Sequence, residues 1–329
     1  MERASKYVLW IRHCESCANV SKGLGSRRFW REPLCTERGN DQALAFGEHV
    51  LPEALKDSGH EKVSFYSSVL PRAMQTSGLI AYSYNKDRGS TATITRVDYV
   101  QELNHVLDKV ACDVTKKGLS NTTSRSKSNC HAKILNKYLS PTVEIDTSNI
   151  LTRGNNGKSY FCAGKDDYKK FLRQVLPTLS ADNLNLVVSH GRYLRKHVLA
   201  SCTDKAVQQG QLKRGKNRAF VPSSKESLWA DLVHPTKKNK FQRTPNLFAF
   251  LVKYTEGNEA AELVQTYHHR GASSLISPVP KRLQSCKYTY KKDIKPACSM
   301  KERVKKYEEE VLGGKSVHIR RFVNRYFLS

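Results

Sequence analysis

The chain has 329 residues, a length that suits one large α/β domain with insertions or two domains. Its 56 Lys and Arg residues outnumber its 30 Asp and Glu residues, and the net charge of +26 predicts a polyanionic partner. The apolar runs are too short to span a bilayer, so no transmembrane segment is predicted. Nine irregularly spaced cysteines and a charged start lead us to expect reduced thiols and a cytoplasmic or other reducing intracellular location.

The first predicted element is a short buried strand, because residues 7–11 are five apolar residues in a row. Arg12 and His13 follow this strand without a spacer. Open α/β sheets bind ligands at the carboxyl ends of their strands, so the pair is a candidate for a binding site. A helix is predicted next, from Thr36 to Leu51, with an apolar stripe along one side.

A second strand is predicted at residues 63–68, followed by Pro71, which suits the first turn of a helix. Arg72 then lies at a helix N-terminus, where backbone amides and the helix dipole add to its charge and favour an anion. A third strand, predicted at residues 91–100, leads to Glu102.

The next stretch, residues 109–165, is rich in Ser, Asn, Thr and Lys with little periodicity, which predicts an insertion with a mobile surface. Helical spacing returns at residues 166–179. Residues 184–188 then predict another strongly buried strand, and His190 follows its end.

A second basic insertion is predicted at residues 203–245, and a last core strand at residues 246–254. The chain after residue 271 reads as a basic extension. We therefore predict an α/β domain over residues 1–270, with its two basic insertions, and a separate C-terminal extension over residues 271–329.

Four strand ends now carry side chains that suit one anion pocket. They are Arg12 with His13, Arg72, Glu102 and His190. In a parallel sheet these ends meet at one edge, where guanidinium groups match phosphate oxygens and a carboxylate is expected only if it moves protons.

These residues lie in motifs that resemble the histidine phosphatase superfamily, the phosphoglycerate mutase-like enzymes. Residues 12–19 read RHCESCAN and resemble its Arg-His-Gly-Glu-Ser/Thr-x-x-Asn signature. Residues 36–43 resemble its Thr-x-x-Gly-x-x-Gln-Ala helix start, residues 67–76 its Ser-x-x-x-Arg-Ala-x-x-Thr element, and residues 187–191 its Val-Ser-His-Gly. The resemblance spans residues 7–254 and implies a three-layer α/β/α sandwich around a mostly parallel sheet, carrying the basic insertions.

The resemblance also implies a role for each site residue. His13 would be the nucleophile that forms a phosphohistidine, and Glu102 would protonate the leaving oxygen and then activate water, with His105 as the alternative acid. Four side chains would bind the phosphate: Arg12, Asn19, Arg72 and His190. No metal and no cofactor is predicted.

Cys14 is the main departure from the family pattern, because the family has glycine after the nucleophile. Glycine there allows a close approach or a positive φ, whereas a thiol side chain must be accommodated. The adjacent cysteine also invites an interpretation as a cysteine phosphatase, but that family requires an arginine six residues after the cysteine, where this chain has Val20.

The predicted function is hydrolysis of a phosphomonoester through the phosphohistidine. The substrate would be an anionic or multiply phosphorylated small molecule or a phosphoprotein, and nucleic acid or another polyanion could bind the basic insertions. One alternative is a phosphoglycerate mutase-type phosphoryl transferase, although the Glu-Arg-x-Tyr-Gly pattern of those enzymes does not occur around Glu102. The other alternative is a non-catalytic protein of the same fold that binds phosphate or nucleic acid.

Overall fold

The computed structural model describes residues 5–16, 19, 35, 37–103, 129, 132–133, 135–136, 139–151, 162–163, 166–214, 220–230, 232–233, 244–255 and 261–267. In chain order, the strands of this part are β1 Ser5–Arg12, β2 Val63–Ser68, β3 Ala92–Val97, β4 Glu102–Leu103, β5 Val143–Leu151, β6 Cys162–Ala163, β7 Leu184–Ser189, β8 Leu212–Arg214, β9 Phe220–Pro222, β10 Ala249–Thr255 and β11 Glu262–Tyr267.

A seven-stranded sheet in the order β11-β10-β1-β7-β2-β3-β5 forms the centre of the fold. The four ladders that link β1, β7, β2, β3 and β5 are parallel, whereas β10 pairs antiparallel with both β1 and β11. The carboxyl ends of β1, β7, β2 and β3 therefore meet at one edge of the sheet. Two short pairs, β4 with β6 and β8 with β9, lie outside it.

Helices follow the strands, and several run through a wider π-helical turn. The helical segments are α1 Glu37–Ala45, a π turn Phe46–Val50, α2 Leu51–Ser58, α3 Pro71–Asn85, α4 Asp167–Lys170, a π turn Phe171–Val175, a 3-10 turn Leu176–Thr178, α5 Gly191–Tyr193, a π turn Leu194–Val198 and α6 Leu199–Gln208.

The alternation of side chains along β1 divides the core into two. Leu9 and Ile11 point to one face of the sheet, where they join a buried cluster with Met74 of α3. Val8 and Trp10 point to the other face and join a cluster that includes the helices after β7. Helices cover both faces, so the predicted three-layer α/β/α sandwich around a mostly parallel sheet is confirmed.

The predicted insertions contain parts of the core. Residues 143–151, which the sequence assigned to the first insertion, form β5 at the edge of the main sheet, where Val143 and Ile145 are buried. In the second, residues 203–208 continue helix α6, and Trp229 is fully buried against the second face of the sheet. Short apolar stretches within both predicted insertions therefore pack on the core, and the bounds of the insertions stay predictions.

Two strand boundaries also differ from the prediction. The strand expected at residues 246–254 begins at Ala249, after a turn in which Leu247 has a φ of 54°. The third strand ends at Val97, and a 3-10 turn at Asp98–Val100 precedes Glu102. The predicted boundary at residue 270 stays a prediction, since the chain after residue 267 lies outside the described residues.

Candidate active site

The site lies where parallel strands end at one edge of the sheet. β1 pairs with β7 so that Arg12 lies opposite Ser189, and β2 pairs with β7 on the other side. The residues that follow these strand ends, His13 after β1 and His190 after β7, are therefore neighbours. Arg72 joins them from the first turn of α3, which follows β2.

The ring of His13 is oriented by the next residue in the chain. Its Nδ1 lies 2.7 Å from the carbonyl oxygen of Cys14. Because a carbonyl can only accept, Nδ1 carries the proton, and the lone pair of the neutral ring is on Nε2. The His13 amide donates to the carbonyl of Ser189 over 2.9 Å, which fixes the backbone against β7. Nε2 is thus the ring nitrogen of His13 that has a free lone pair.

Arg72 and His190 form a buried pair beside it. Arg72 Nη2 lies 3.1 Å from His190 Nδ1. A guanidinium only donates, so Nδ1 accepts and the proton of His190 is on Nε2, which donates to Ser68 Oγ over 2.9 Å. The ring centres of His13 and His190 are 5.2 Å apart. One guanidinium and two neutral imidazoles therefore share the sheet edge.

Arg12 adds a second guanidinium. Its Nη1 donates to the carbonyl oxygen of Thr244, in the segment that precedes β10. Gly191 leaves room for this arrangement, since a Cβ there would lie 3.0 Å from Cδ and Nε of Arg12 and 2.9 Å from Thr244 Oγ1. A larger residue after His190 would have to displace the side chains of Arg12 and Thr244.

Glu102 brings a carboxylate to the same place. Its Oε2 lies 3.9 Å from His190 Nδ1, and 18% of its side chain is exposed. The turn before it is tied to the sheet, because Ser189 Oγ donates to the carbonyl of Val100 over 2.7 Å. A partly exposed carboxyl group can exchange protons with solvent, as a general acid and base must. The alternative acid, His105, lies outside the described residues.

Asn19 stabilises the loop that follows His13. Its Oδ1 accepts from the backbone amide of Ser16 at 3.1 Å and from Ser16 Oγ at 3.0 Å. It also accepts from Asn246 Nδ2 at 3.0 Å. A contact from Asn19 to phosphate stays a prediction, and the observed bonds connect it to the backbone around His13.

Cys14 is accommodated without the backbone conformation that would require glycine. Leu247 is the only non-glycine residue with a positive φ in the described part of the chain. The side chain of Cys14 forms a disulfide with Cys35, and both residues are fully buried. The expectation of reduced thiols is therefore wrong for this pair. Their Cα atoms are 6.0 Å apart, a normal bridging distance that irregular cysteine spacing could not reveal.

The glycine of the second motif has a packing role. A Cβ on Gly39 would lie 2.2 Å from the carbonyl oxygen of Glu15, which is backbone and cannot move aside easily. The start of α1 thus packs directly against the loop that follows His13. Sequence spacing alone showed the motif but not this contact.

The electrostatics of the pocket favour neutral histidines and a bound anion. Burial, followed by the charges of Arg72 and Arg12, lowers the pKa of His13 well below its usual range. The pKa of His190 is lowered for the same reasons, with His13 as a further contributor. Both rings are therefore neutral at pH 7, and the positive charge at this sheet edge belongs to the arginines.

Replacing both histidines with glutamine should flatten the pH dependence of the free energy of unfolding. In the folded protein the pKa of each ring lies below the unfolded value of about 6.5, so each contributes stability above that pH and loses it as pH falls. The slope just below pH 6.5 should decrease by up to about 1.4 kcal/mol per pH unit for each histidine. Urea unfolding between pH 5 and 7.5 measures this slope for His13→Gln/His190→Gln, with His49→Gln as an exposed control. Equal slopes in all three proteins would contradict the neutral assignment.

Three of these residues could by distance alone hold a metal ion. The ligand atoms of His13, Glu102 and His190 all lie within 4.8 Å of one another. Arg12 and Arg72, however, place two fixed positive charges at the same point, and these favour an anion over a cation. The donor set therefore suits a phosphate group better than a metal ion.

Three polar residues around the site were not predicted as site residues. Ser68 accepts from His190, and Thr76 Oγ1 accepts from the amide of Cys14 at 2.9 Å. Both residues lie within the motif at residues 67–76, so that motif could have indicated them as site residues. Asn246 donates to the carbonyl oxygens of His13 and Cys14 at 2.9 and 2.7 Å. It lies outside every motif.

Comparison of the sequence with known protein families and with curated proteins finds no match. Solved structures do match. An ecdysone phosphate phosphatase from Bombyx mori is 11% identical with a TM-score of 0.41, over 82% of this chain and 100% of that one. A mycobacterial glucosyl-3-phosphoglycerate phosphatase is 13% identical with a TM-score of 0.36, over 76% of this chain and 90% of that one. A proposed α-ribazole-5'-P phosphatase from Escherichia coli is 16% identical with a TM-score of 0.36, over 78% and 94%.

These solved structures belong to the histidine phosphatase superfamily. The order of the motifs in this chain resembles that of the superfamily. In this chain, the structure brings Arg12, His13, Arg72, Glu102 and His190 to one sheet edge. Within the described residues, no helix combines the length and apolar character needed to cross a membrane.

Proposed function

We propose that the chain is a phosphomonoester hydrolase that acts through a phosphohistidine on His13. The observation that supports this most strongly is the 2.7 Å hydrogen bond from His13 Nδ1 to the carbonyl of Cys14, which leaves the lone pair on Nε2. That atom belongs to a buried ring beside Arg12 and Arg72. A neutral nitrogen nucleophile next to two guanidiniums suits attack on a phosphate ester.

In the first step, the Nε2 lone pair of His13 forms a bond to phosphorus while the bond from phosphorus to the ester oxygen breaks. The carboxyl group of Glu102 donates its proton to the departing oxygen, which leaves as an alcohol. Arg12 and Arg72 hold the other phosphate oxygens, whose charge must be stabilised during transfer. His190 would join them if its Nε2 proton turned from Ser68 Oγ to the phosphate, as the sequence resemblance implies.

In the second step, water attacks the phosphorus of the phosphohistidine. The Glu102 carboxylate takes a proton from this water, and the electron pair of the breaking N–P bond returns to Nε2 of His13. Inorganic phosphate leaves and both residues regain their initial states. No metal or cofactor takes part in either step.

Chemical trapping of the intermediate tests this proposal. Protein that is turning over a phosphorylated substrate is denatured rapidly, and the stability of the protein-bound phosphoryl group is compared in acid and in base. We expect a label that is lost in acid, survives base and maps to the peptide containing His13. Turnover with no base-stable label on any substrate would refute the phosphohistidine.

We further propose that the substrate is an anionic or multiply phosphorylated molecule attracted by the second basic insertion. Lys213 and Arg214 of β8 are exposed there, and Arg214 also pairs with Asp204. Lys216 and Arg218 follow in the sequence and lie outside the described residues. Four basic residues within six positions would raise the local concentration of a polyanion.

Replacing these four residues with glutamine should reduce the salt dependence of kcat/KM for a polyphosphorylated substrate. For a nucleic-acid end, each phosphate no longer engaged should remove about 0.7 to 0.9 from the log–log slope. A small monophosphate should show little change. The control replaces four exposed basic residues outside the insertion: Lys56, Lys62, Lys86 and Arg88. If the log–log salt slope of kcat/KM is the same for the two quadruple variants, the insertion has no part in substrate capture.

A further inference from the structure

The segment just before β10 is bound to the backbone around the nucleophile. The amide of Leu247 donates to the carbonyl of Arg12 over 3.1 Å, and the amide of Arg12 donates to the carbonyl of Phe248 over 3.0 Å. Between these bonds Leu247 is fully buried with a φ of 54°. A left-handed backbone at such a residue is uncommon, and the surrounding structure must enforce it. The turn therefore has a fixed position relative to β1.

This turn presents the side-chain amide of Asn246 to the nucleophile loop. Asn246 Nδ2 lies 2.7 Å from the carbonyl oxygen of Cys14, 2.9 Å from that of His13 and 3.0 Å from Asn19 Oδ1. An amide nitrogen carries two hydrogens, so they serve three acceptors and one bond is shared. The side-chain amide of Asn246 thus connects the peptide units of His13 and Cys14 with the side chain of Asn19.

The carbonyl of Cys14 is the acceptor that matters most among these three. It accepts from His13 Nδ1 at 2.7 Å and from Asn246 Nδ2 at 2.7 Å, which uses both of its lone pairs. If this peptide unit rotated, the ring of His13 would lose the acceptor that keeps its proton on Nδ1. The lone pair would then no longer be confined to Nε2.

We propose that Asn246 is a positioning residue that fixes the Cys14 carbonyl and, through it, the tautomer and direction of the His13 ring. The proposal deepens the proposed function and rests on it for the catalytic consequence. The structural part stands independently, because the tautomer of His13 can be measured without a substrate.

The test compares Asn246→Asp with the wild-type full chain. Aspartate has nearly the same shape as asparagine, but its carboxylate has no hydrogen to donate. It would place an acceptor oxygen against the carbonyl oxygens of His13 and Cys14 and against Asn19 Oδ1. Ring ¹⁵N chemical shifts of histidine-labelled protein report the tautomer, with the His13 signals assigned by their loss in His13→Gln. Asn246→Ala is measured in parallel in case the aspartate variant does not fold. The control is Asn183→Asp, because Asn183 is also half-buried and donates to a side chain, but lies at the opposite end of β7.

We expect the His13 proton to remain on Nδ1 in the wild type and in Asn183→Asp, and to redistribute toward Nε2 in both Asn246 variants. In the same variants kcat for an aryl phosphate should fall about 10²-fold, the loss expected when a reacting group is misplaced by about 1 Å. An unchanged tautomer in both Asn246 variants overturns the proposal, even if turnover falls. If the wild type turns over no substrate, the proposed function fails, and the ring shifts still decide the role of Asn246.

Discussion

Replacing His13 with glutamine is expected to reduce kcat on the order of 10⁴- to 10⁶-fold, the loss typical of an enzyme without its nucleophile. Glutamine retains an amide that can donate to the Cys14 carbonyl, as His13 Nδ1 does at 2.7 Å. It has no nitrogen lone pair with which to attack phosphorus. The fold should therefore remain intact while the reaction stops. Steady-state hydrolysis of an activated aryl phosphate and of an alkyl phosphate measures the loss.

His49→Gln provides the matched control, because His49 is an exposed histidine in the π turn after α1. This variant should retain wild-type turnover on both substrates. Phosphoryl trapping on the His13→Gln variant should give no base-stable label. Activity of His13→Gln within tenfold of the wild type would show that another group attacks phosphorus, and the phosphohistidine mechanism would be abandoned.

The second large effect is expected for Glu102→Gln, and its size should depend on the leaving group. Glu102 is proposed to protonate the departing oxygen, and loss of a general acid costs about 10²- to 10⁴-fold when that oxygen is strongly basic. An alkyl phosphate should show this loss in full. In kcat/KM, which reports the first step, an activated aryl phosphate should react nearly as fast as with the wild type, because its leaving oxygen needs little protonation. Plotting log kcat/KM against leaving-group pKa should give a steeper line for the variant. Hydrolysis of the phosphohistidine should slow equally for all substrates, because Glu102 also activates the water.

Two further variants make this comparison specific to Glu102. Glu61→Gln removes an exposed carboxylate just before β2 and should match the wild type on every substrate. His105→Gln examines the alternative acid. Parallel lines for the wild type and Glu102→Gln would mean that Glu102 does not protonate the leaving group, and a steeper line for His105→Gln would transfer the role to His105.

The central strands and the site side chains could be predicted because their signals are local. The strands that end just before His13 and His190 are mostly apolar runs buried on both faces of the sheet, with Asn185 the one polar residue inside the run of β7. A parallel sheet places such strand ends at one edge, and this topological rule brought Arg72 and Glu102 to the same place. These predictions needed no knowledge of how distant segments pack.

The parts that could not be predicted depend on distant partners. In β5 the buried Val143 and Ile145 alternate with acidic residues inside a polar stretch, and this short pattern was not enough to predict a strand. The pairing with β3 in the structure identifies it. Asn246 is a single polar residue before a strand, and its contacts are to carbonyls more than 200 positions earlier in the chain. The Cys14–Cys35 pairing likewise had no signature among nine irregularly spaced cysteines.

The place of β1 in the sheet has a consequence for how the protein is made. Among the described strands this one is synthesised before the others, yet its neighbours in the sheet are β7 and β10, which begin only at Leu184 and Ala249. Such pairing has a high contact order and is slow to form. A nascent chain therefore holds an apolar strand with both edges unpaired, which makes it a target for chaperones and a hazard for aggregation. It also has no assembled pocket, because the acceptors of Arg12 and the donor at Asn246 arrive with the residues just before β10.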